Sequence, residues 1–575
     1  MKVRFLGLSM AMAGLLVISG SSQVARASGL QVSYSNNGVE QLSYNGLTLE
    51  DVSRDSSDAF HIYHMSATSV NGGGTLTSGQ YGWGENYNSK NWNGSTHTFT
   101  YTYIWGSITV QFQQSGNNLN INVVTKNNAN SGIIFNGANI YPFVLHFPRL
   151  PAGFVDSGYQ HFAFNTTGPS VTVADYGQGE VASVVTDPSR PLYSGFQPTG
   201  GTLAYYPIIG STPIEGMASF FPRNNRTVAP GQTDSFTVSL RFAASGTPAT
   251  TIGADAYANW ASKYTQQLRW SDRRIIGTAY LASSPQGDPR IPAGYPNNPR
   301  RYYNDSNSND FDVRTSSGLA KFQARILSQA QKNVQNMQRL NAQGTITWDI
   351  EGEQYPQMTS YVCEPDQIAQ IAPEMDSVIR ISGSPYNGMK LDDAYFKIMR
   401  NAGFRVGVCV RPQHFTKYSN GLAAQVYLPT SQVAGELIRK VKYAHDRWGA
   451  TLFYIDSSVD ANGGALDPSI IQQVAAAVPD SLLIPEESTT RDYAYSAPFQ
   501  TFIFHRDLGT PVSAQSLYPG AFSANLINDV NAATLNWYRP QLTDSVRRGD
   551  ILMVHSDYWQ ANNPTVVQIY QDAGK

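Results

Sequence analysis

Cysteine is nearly absent from this chain, with only Cys363 and Cys409 among 575 residues. Two thiols exclude a disulfide-stapled scaffold, and a chain of this length has cores large enough to do without staples. Cys409 lies in the apolar run Val406–Val410 and reads as a buried thiol, while its pairing with Cys363 stays open from sequence alone. Charge is also sparse, at 14% of residues, and balanced at 40 basic against 42 acidic groups. No basic field exists to attract nucleic acid or an anionic membrane surface. Long apolar runs are missing as well. The one candidate, Phe5 to Ile18, is too short to span a bilayer. Lys2 and Arg4 precede it and Ala25-Arg26-Ala27 follows, so residues 1–27 read as a signal peptide. The expectation is an exported protein, secreted or periplasmic, without a membrane span. Removal of Lys2, Arg4 and Arg26 leaves 37 basic against 42 acidic groups, a net charge of −5. Repeats, low-complexity segments, a phosphate loop and a G-x-S-x-G nucleophile elbow are all absent from the sequence.

Aromatic side chains, by contrast, are plentiful: 12% of residues, with 33 Tyr and 9 Trp. They suit stacking on flat ligands, and equally a β-rich core. The length calls for two or more domains. A boundary falls near residue 250, because 28–250 carry 20 charged groups and 251–575 carry 59. The first segment alternates at period two, as in Thr98-Phe99-Thr100-Tyr101-Thr102-Tyr103 and Ser235-Phe236-Thr237-Val238-Ser239-Leu240. With turn pairs Asn37-Gly38, Asn45-Gly46 and Asn136-Gly137, it reads as an antiparallel β-sandwich over 28–250. A helical connector follows at 251–270, its helix over Ala254–Gln267 carrying Tyr257, Trp260 and Tyr264 at helical spacing.

Residues 271–575 alternate between apolar strands and amphipathic helices. Strands are expected at Ile275–Ala282, Thr345–Ile350, Arg405–Val410, Thr451–Ile455, Leu482–Pro485, Thr501–His505, Ala524–Ile527 and Ile551–His555. Leu319, Phe322, Ile326, Val334, Met337 and Leu340 form one face of a long helix, and Asp467-Pro468 opens another. Eight strands over about 300 residues fit a closed (β/α)8 TIM-type barrel.

In such a barrel the catalytic groups come from the C-terminal strand ends. Here those ends carry Trp348-Asp349-Ile350-Glu351-Gly352-Glu353, Arg411-Pro412-Gln413-His414, Asp456, Glu486-Glu487, His505-Arg506-Asp507 and His555-Ser556-Asp557-Tyr558-Trp559. Asp456 after strand four and Glu486 or Glu487 after strand five make a carboxylate pair on adjacent strands, the equipment for splitting a glycosidic bond. Asp456 is the nucleophile candidate. Glu486 shares the phase of Leu482 and Ile484 and is preferred over Glu487 as acid/base. Trp348, Asp349, Glu351, Arg411, His414, His505, His555, Asp557 and Trp559 are candidate substrate-binding residues, each also explicable as packing or a rim ion pair. Asp349, Glu351 and Glu353 invite a metal reading, yet alternating acids more often bind hydroxyls, so neither metal nor cofactor is expected.

Three weaker patterns point elsewhere. Asp305-Ser-Asn307-Ser-Asn309 begins like a calcium loop but has Asp310 in place of the glycine. Gly177-Gln-Gly179 mimics a dinucleotide fingerprint inside the β segment, and His61-x-x-His64 reads as two strand residues.

This order of segments, with acids after strands four and five, resembles bacterial retaining glycoside hydrolases. It is similar to the endo-α-N-acetylgalactosaminidase and α-amylase type barrels, which implies Asp456 as nucleophile and Glu486 as acid/base on an α-linked carbohydrate. Tyr454 stands where the α-amylases have arginine, a departure from that family. The α-galactosidase and α-glucosidase barrels place their acid/base after strand six, which nominates Asp507. The alternatives are a non-catalytic carbohydrate-binding surface protein on the same scaffold, and a metal-dependent hydrolase using Asp349, Glu351 and His414.

Overall fold

The computed structural model describes residues 28–575 except 37, 52–60, 70–74, 79–86, 153, 155–160, 199–202, 211–225, 283–301, 303–310, 353–361, 418–422, 502–508, 528–531 and 556–563. Its N-terminal part is two large antiparallel sheets over one core, into which a smaller three-stranded sheet, Leu30–Ser35, Gly38–Tyr44 and Leu47–Asp51, also packs. The first has seven strands, with Thr98–Tyr103, Gly106–Ser115, Asn118–Asn127 and Thr233–Ala243 side by side. The second contains His61–Ser69, Ile133–Tyr141, Tyr193–Pro198 and Ala204–Gly210. Phe99, Tyr101, Ile121 and Val238 of the first share a buried cluster with Ile133, Ile140, Phe196 and Tyr205 of the second. The period-two pattern of Thr98–Tyr103 thus becomes strict alternation of burial, as expected of a sandwich face.

Asn45-Gly46 is a two-residue hairpin turn with both residues in the left-handed region. Asn136-Gly137 is not a turn. It lies inside Ile133–Tyr141, where the register slips on either side of Gly137, so glycine marks an irregular strand rather than its end. Gly177 turns the hairpin between Ser170–Asp175 and Glu180–Val185, and His61 and His64 sit in one strand. Asn37 and the Asp305–Asp310 segment fall outside the described residues.

The connector helix spans Ala254–Lys263, shorter than the sequence implies, because Gln267 and Leu268 leave it to donate to the Ala494 carbonyl. Its buried Trp260 donates through Nε1 to the Asn165 carbonyl at 2.9 Å and packs on Tyr264 and Tyr518, so one indole pins the sandwich to the barrel.

Eight parallel strands follow: β1 (Ile276–Ala279), β2 (Gly344–Thr347), β3 (Arg405–Val410), β4 (Ala450–Ile455), β5 (Leu482–Pro485), β6 (Phe499–Thr501), β7 (Ala524–Leu526) and β8 (Ile551–His555). Each is laddered to its sequence neighbour except β5 to β6, and β8 is laddered to β1; between β5 and β6 the Ala497 N–H donates to the Leu483 carbonyl at 3.0 Å. Helices α1 (Ser316–Arg339), α2 (Leu391–Asn401), α3 (Thr430–Trp448) and α4 (Pro468–Ala477) cover one side. Thr315 caps α1 at the Gly318 N–H, and Asp467 caps α4 at the Ser469 N–H with Pro468 in the first position. No helix among the described residues is long and apolar enough to cross a membrane.

Alternation sorts the barrel strands. Ile276, Ile346, Cys409, Leu452, Tyr454, Leu482, Ile484 and Met553 fill the interior, whereas Val408, Phe453, Ile455 and Leu483 face the helices. β1 and β2 stop earlier than their apolar runs, since the Leu281 and Ala282 N–H groups turn to donate to Asp349 at 2.7 Å each. The β6 ladder ends at Thr501, and 502–508 lie outside the described residues.

Val406 opposes Ala450 but Gly407 opposes Leu452, so β4 carries one extra residue there. That bulge brings the Leu452 carbonyl oxygen to 2.0 Å from where a Cβ on Gly407 would stand. Gly407→Ala is therefore expected to destabilise the barrel by about 3 kcal/mol, since backbone has to move to make room. Urea unfolding followed by tryptophan fluorescence measures this; an unchanged midpoint contradicts the close packing.

Candidate active site

The site begins where β4 ends. The Asp456 N–H still donates to the Val410 carbonyl at 2.9 Å, which holds its side chain in the interior phase of Leu452 and Tyr454. Ser457 then adopts a left-handed conformation, φ 49°, an uncommon choice for a non-glycine residue. That turn aims the Ser457 N–H at Glu486 Oε2, 2.6 Å away, while its hydroxyl donates to Asp456 Oδ1 at 3.1 Å. One residue thereby joins both carboxylates.

Arg411, two residues beyond Cys409 on β3, donates through Nε and Nη2 to Asp456 Oδ2 at 2.9 and 2.6 Å. Both partners are buried. Burial works against the Arg411 charge, but the facing Asp456 carboxylate outweighs it and the guanidinium pKa is raised. Nη1 reaches Gln425 Oε1 at 2.5 Å, on the second strand of the hairpin His414–Lys417 and Ala423–Val426. Below, the fully buried Lys440 of α3 donates to the carbonyls of Arg411 and Gln413 at 2.8 and 2.7 Å and pairs with Glu364 at 2.7 Å. The ammonium fixes the backbone from which Arg411 projects.

Glu486 has its pKa pushed up to about 7, by burial first and by the Asp456 charge second. Asp456 and Tyr454 are the neighbouring groups that act on it. Tyr454 itself is raised well above its ordinary value, by burial and then by the charges of Glu486 and Asp456. It belongs to an aromatic row across the barrel mouth: Trp348 stands 4.3 Å from Tyr454, Tyr280 5.6 Å from Trp348, and His555 4.7 Å from Tyr280.

Of the expected site residues, Arg411, Asp456, Glu486 and Trp348 converge, and His555 ends the aromatic row. Glu487 is exposed, its N–H held by Ser458. Asp349 is wholly buried and spends both oxygens on the turn after β1, so it supports the rim rather than lining a pocket. Glu351 is also buried, its pKa raised to about 8 by burial first and then by Glu364 and Asp349. His414, on the hairpin, bonds Glu436 of α3 at 3.0 Å. His505, Asp507, Asp557, Trp559 and Glu353 lie outside the described residues.

Among the described residues, two groups bring ligand atoms within 4.8 Å of one another: Cys363, Cys409 and Asp456, and Glu364, His414 and Glu436. In the first, the unlinked sulfurs stand 3.0 Å apart and burial raises both thiols, so they are neutral and poor ligands. In the second, Lys440 and Arg439 already answer the carboxylates. Neither donor set fits a cation.

Sequence reasoning missed Tyr454, Ser457 and Gln425 as members of the site. Tyr454 was legible, since it shares the phase of Asp456 two residues on; Gln425 was not, because nothing in the sequence marks the hairpin that carries it.

No protein-family model and no curated protein matches the chain. Solved structures with a similar course include a GH36 α-galactosidase from Geobacillus stearothermophilus bound to 1-deoxygalactonojirimycin. It is 10% identical with a TM-score of 0.40, over 90% of this chain and 75% of that one. The α-galactosidase from Lactobacillus brevis is 10% identical with a TM-score of 0.41, over 89% and 72%. A GH31 sulfoquinovosidase from E. rectale is 7% identical with a TM-score of 0.43, over 95% and 82%.

The raised pKa of Glu486 links stability to pH. Unfolded, its carboxyl titrates near 4.5; folded, near 7, so between these values the folded chain holds the extra proton and stability falls as pH rises. The full penalty is roughly 2–3 kcal/mol after allowance for partial exposure. Glu486→Gln is expected to flatten the decline of the melting temperature between pH 5 and 8 relative to wild type. Parallel wild-type and variant curves across that range rule the coupling out.

Proposed function

We propose that the protein is an exported glycoside hydrolase that cleaves an α-linked sugar with net retention, Asp456 serving as nucleophile and Glu486 as acid/base. The observation that carries this reading is the juxtaposition of the two carboxylates at the C-terminal mouth of the barrel. One is clamped by Arg411, and the other retains its proton to about pH 7. Two neighbouring acids with divergent environments are how acid and base roles are divided in this chemistry. The α linkage comes from the resemblance to barrels with an aspartate after strand four, and export from the signal-like residues 1–27.

The chemistry runs in two steps. Asp456 Oδ2 is held by two guanidinium bonds, which leaves Oδ1, beside the Ser457 hydroxyl, as the attacking oxygen. It bonds to the anomeric carbon as the glycosidic C–O bond breaks, and the leaving oxygen takes the Glu486 proton. Water then attacks the glycosyl ester and gives a proton to Glu486, and Asp456 departs as carboxylate. Trp348 and Tyr454 form the apolar floor beneath the sugar.

Glu486 and Asp456 interact closely enough to raise the Glu486 pKa, whereas the retaining geometry separates the carboxyls by about 5 Å. That closeness favours a second reading, in which Asp507 is the acid/base and Glu486 positions Asp456 and tunes its charge. The two readings part on substrates that need no protonation. With Glu486 as acid, Glu486→Gln keeps its kcat/KM on aryl glycosides with acidic leaving groups, while its kcat falls for want of the second-step base, and it loses about 100-fold or more in kcat/KM on alkyl glycosides. With Asp507 as acid, Asp507→Asn shows that split instead.

Asp456→Asn is expected to lower kcat on any cleaved glycoside by at least about 1,000-fold. Full activity in that variant overturns the assignment. For wild type, kcat/KM is expected to fall above about pH 7 as Glu486 loses its proton, and proton NMR of the first product is expected to show the substrate's anomer. Release of the opposite anomer eliminates the double displacement.

A further inference from the structure

A cleft of about 320 Å³ lies where the sandwich meets the barrel, at the small end of the range for ligand pockets. Phe164, Thr166 and Thr167 of the sandwich form one wall; Gln413, Asp460 and Ser488, from the loops after β3, β4 and β5, form the other. Those three loops follow the strands that carry Arg411, Asp456 and Glu486. The sandwich wall is fixed in place: the Thr167 carbonyl accepts from the Arg491 N–H at 2.9 Å, and the neighbouring Asn165 carbonyl accepts from Trp260.

We propose that this cleft binds a neutral sugar ring of the substrate beside the bond cleaved at Asp456, an extension that rests on the glycosidase reading above. Three observations support it. Gln413 is 4% exposed and donates through Nε2 to the Ser457 carbonyl at 3.1 Å, yet its buried Oε1 has no hydrogen-bond partner among the described residues. A buried acceptor in a cleft wall is a place for a hydroxyl donor. Tyr427, also in the lining, leaves a large aromatic side chain 48% exposed beside hydroxyl-bearing neighbours, the mixture of flat apolar and polar surface that a pyranose presents in return. Finally, among the described residues the lining includes Asp460 and Asp467 but neither lysine nor arginine, which selects against sialylated, sulfated or uronic-acid glycans. Gln413 ties the cleft to the catalytic pair, because the residue it holds, Ser457, is the one bonded to both carboxylates.

The test uses the full chain carrying Asp456→Asn, so that ligand is not consumed. It is applied to a printed array of neutral α- and β-linked oligosaccharides and of sialylated and uronic-acid glycans. Binding is expected in the neutral set alone. For the best neutral oligosaccharide, calorimetry is expected to give a Kd raised at least about tenfold by Tyr427→Ala and by Gln413→Leu in that background, with Val512→Ser, at an exposed helix position, as control. Tyr427→Ala carries the test alone if Gln413→Leu loses its fold. Affinity unchanged in Tyr427→Ala, binding confined to anionic glycans, or no glycan bound overturns the proposal. Wild-type protein is assayed separately for release of reducing sugar. Tyr427-dependent binding without release sinks the glycosidase reading but not the sugar cleft. Release with affinity unaltered by Tyr427→Ala sinks the cleft alone.

Discussion

A buried carboxylate with nothing opposite it costs several kcal/mol, and inside the barrel mouth Asp456 has Arg411 opposite it. Much of the surrounding architecture serves that one contact. Gln425 holds the third guanidinium nitrogen, and Lys440 takes the carbonyls on either side of Pro412, the loop from which Arg411 extends. Glu364 neutralises the ammonium and also accepts the Phe415 N–H at 2.8 Å, closing the hairpin onto the site. A charge pair thus recruits a second, deeper pair, and together they tie β3, β4, α3 and the hairpin into one unit. Such buried pairs are weak evidence for stability; they are better understood as fixing one geometry among several.

Much of this was legible because a strand has a period of two. Leu482 and Ile484 line the barrel interior while Leu483 faces the helices, so Glu486 had to point inward and Glu487 outward. The same parity places Arg411 with Cys409 and Asp456 with Tyr454. Where parity fails is past the last ladder bond. Asp349 and Glu351 were grouped with the rim on sequence, but the chain turns after Thr347 and folds both acids into the interior, Asp349 against backbone N–H groups. Which acids face a ligand and which satisfy the backbone depends on loop conformation, which no periodicity encodes. The sandwich shows the converse: Asn45-Gly46 makes its turn as the dipeptide demands, and Asn136-Gly137, equally turn-like, is carried through as an irregular strand because neighbours on both edges complete the sheet.

The chain also shows how a β-rich segment and a barrel are joined without a shared core. The sandwich cluster runs from Leu30 to Phe242 and the outer barrel cluster from Trp260 to Ala521, with no residue in common. Apolar and polar contacts both connect them: Ala256 of the connector helix packs on Ala182 and Val184 of the sandwich, and an indole N–H on Asn165, an amide on Thr167 and the Lys263 ammonium on the Pro188 carbonyl add directional bonds. Hydrogen bonds of this kind set orientation more than they set affinity, and they align the loop beginning at Phe164 over the barrel mouth.

The seam between β5 and β6 has a further consequence, for how such a molecule changes over evolutionary time. Seven of the eight strand junctions are parallel ladders, and the extra residue that β4 carries opposite Val406–Gly407 shows that an insertion there shifts the register. At the eighth, one amide joins the two sides among the described residues, and the chain between them passes through a short 3₁₀ turn, Thr490–Ala494, rather than a full helix. Lengthening that connection disturbs no register and adds loop-closure entropy only logarithmically. Glu486 stands at the head of this seam, so the mouth of the barrel has one flank where new loops can be trialled beside the chemistry while the other seven junctions keep its geometry.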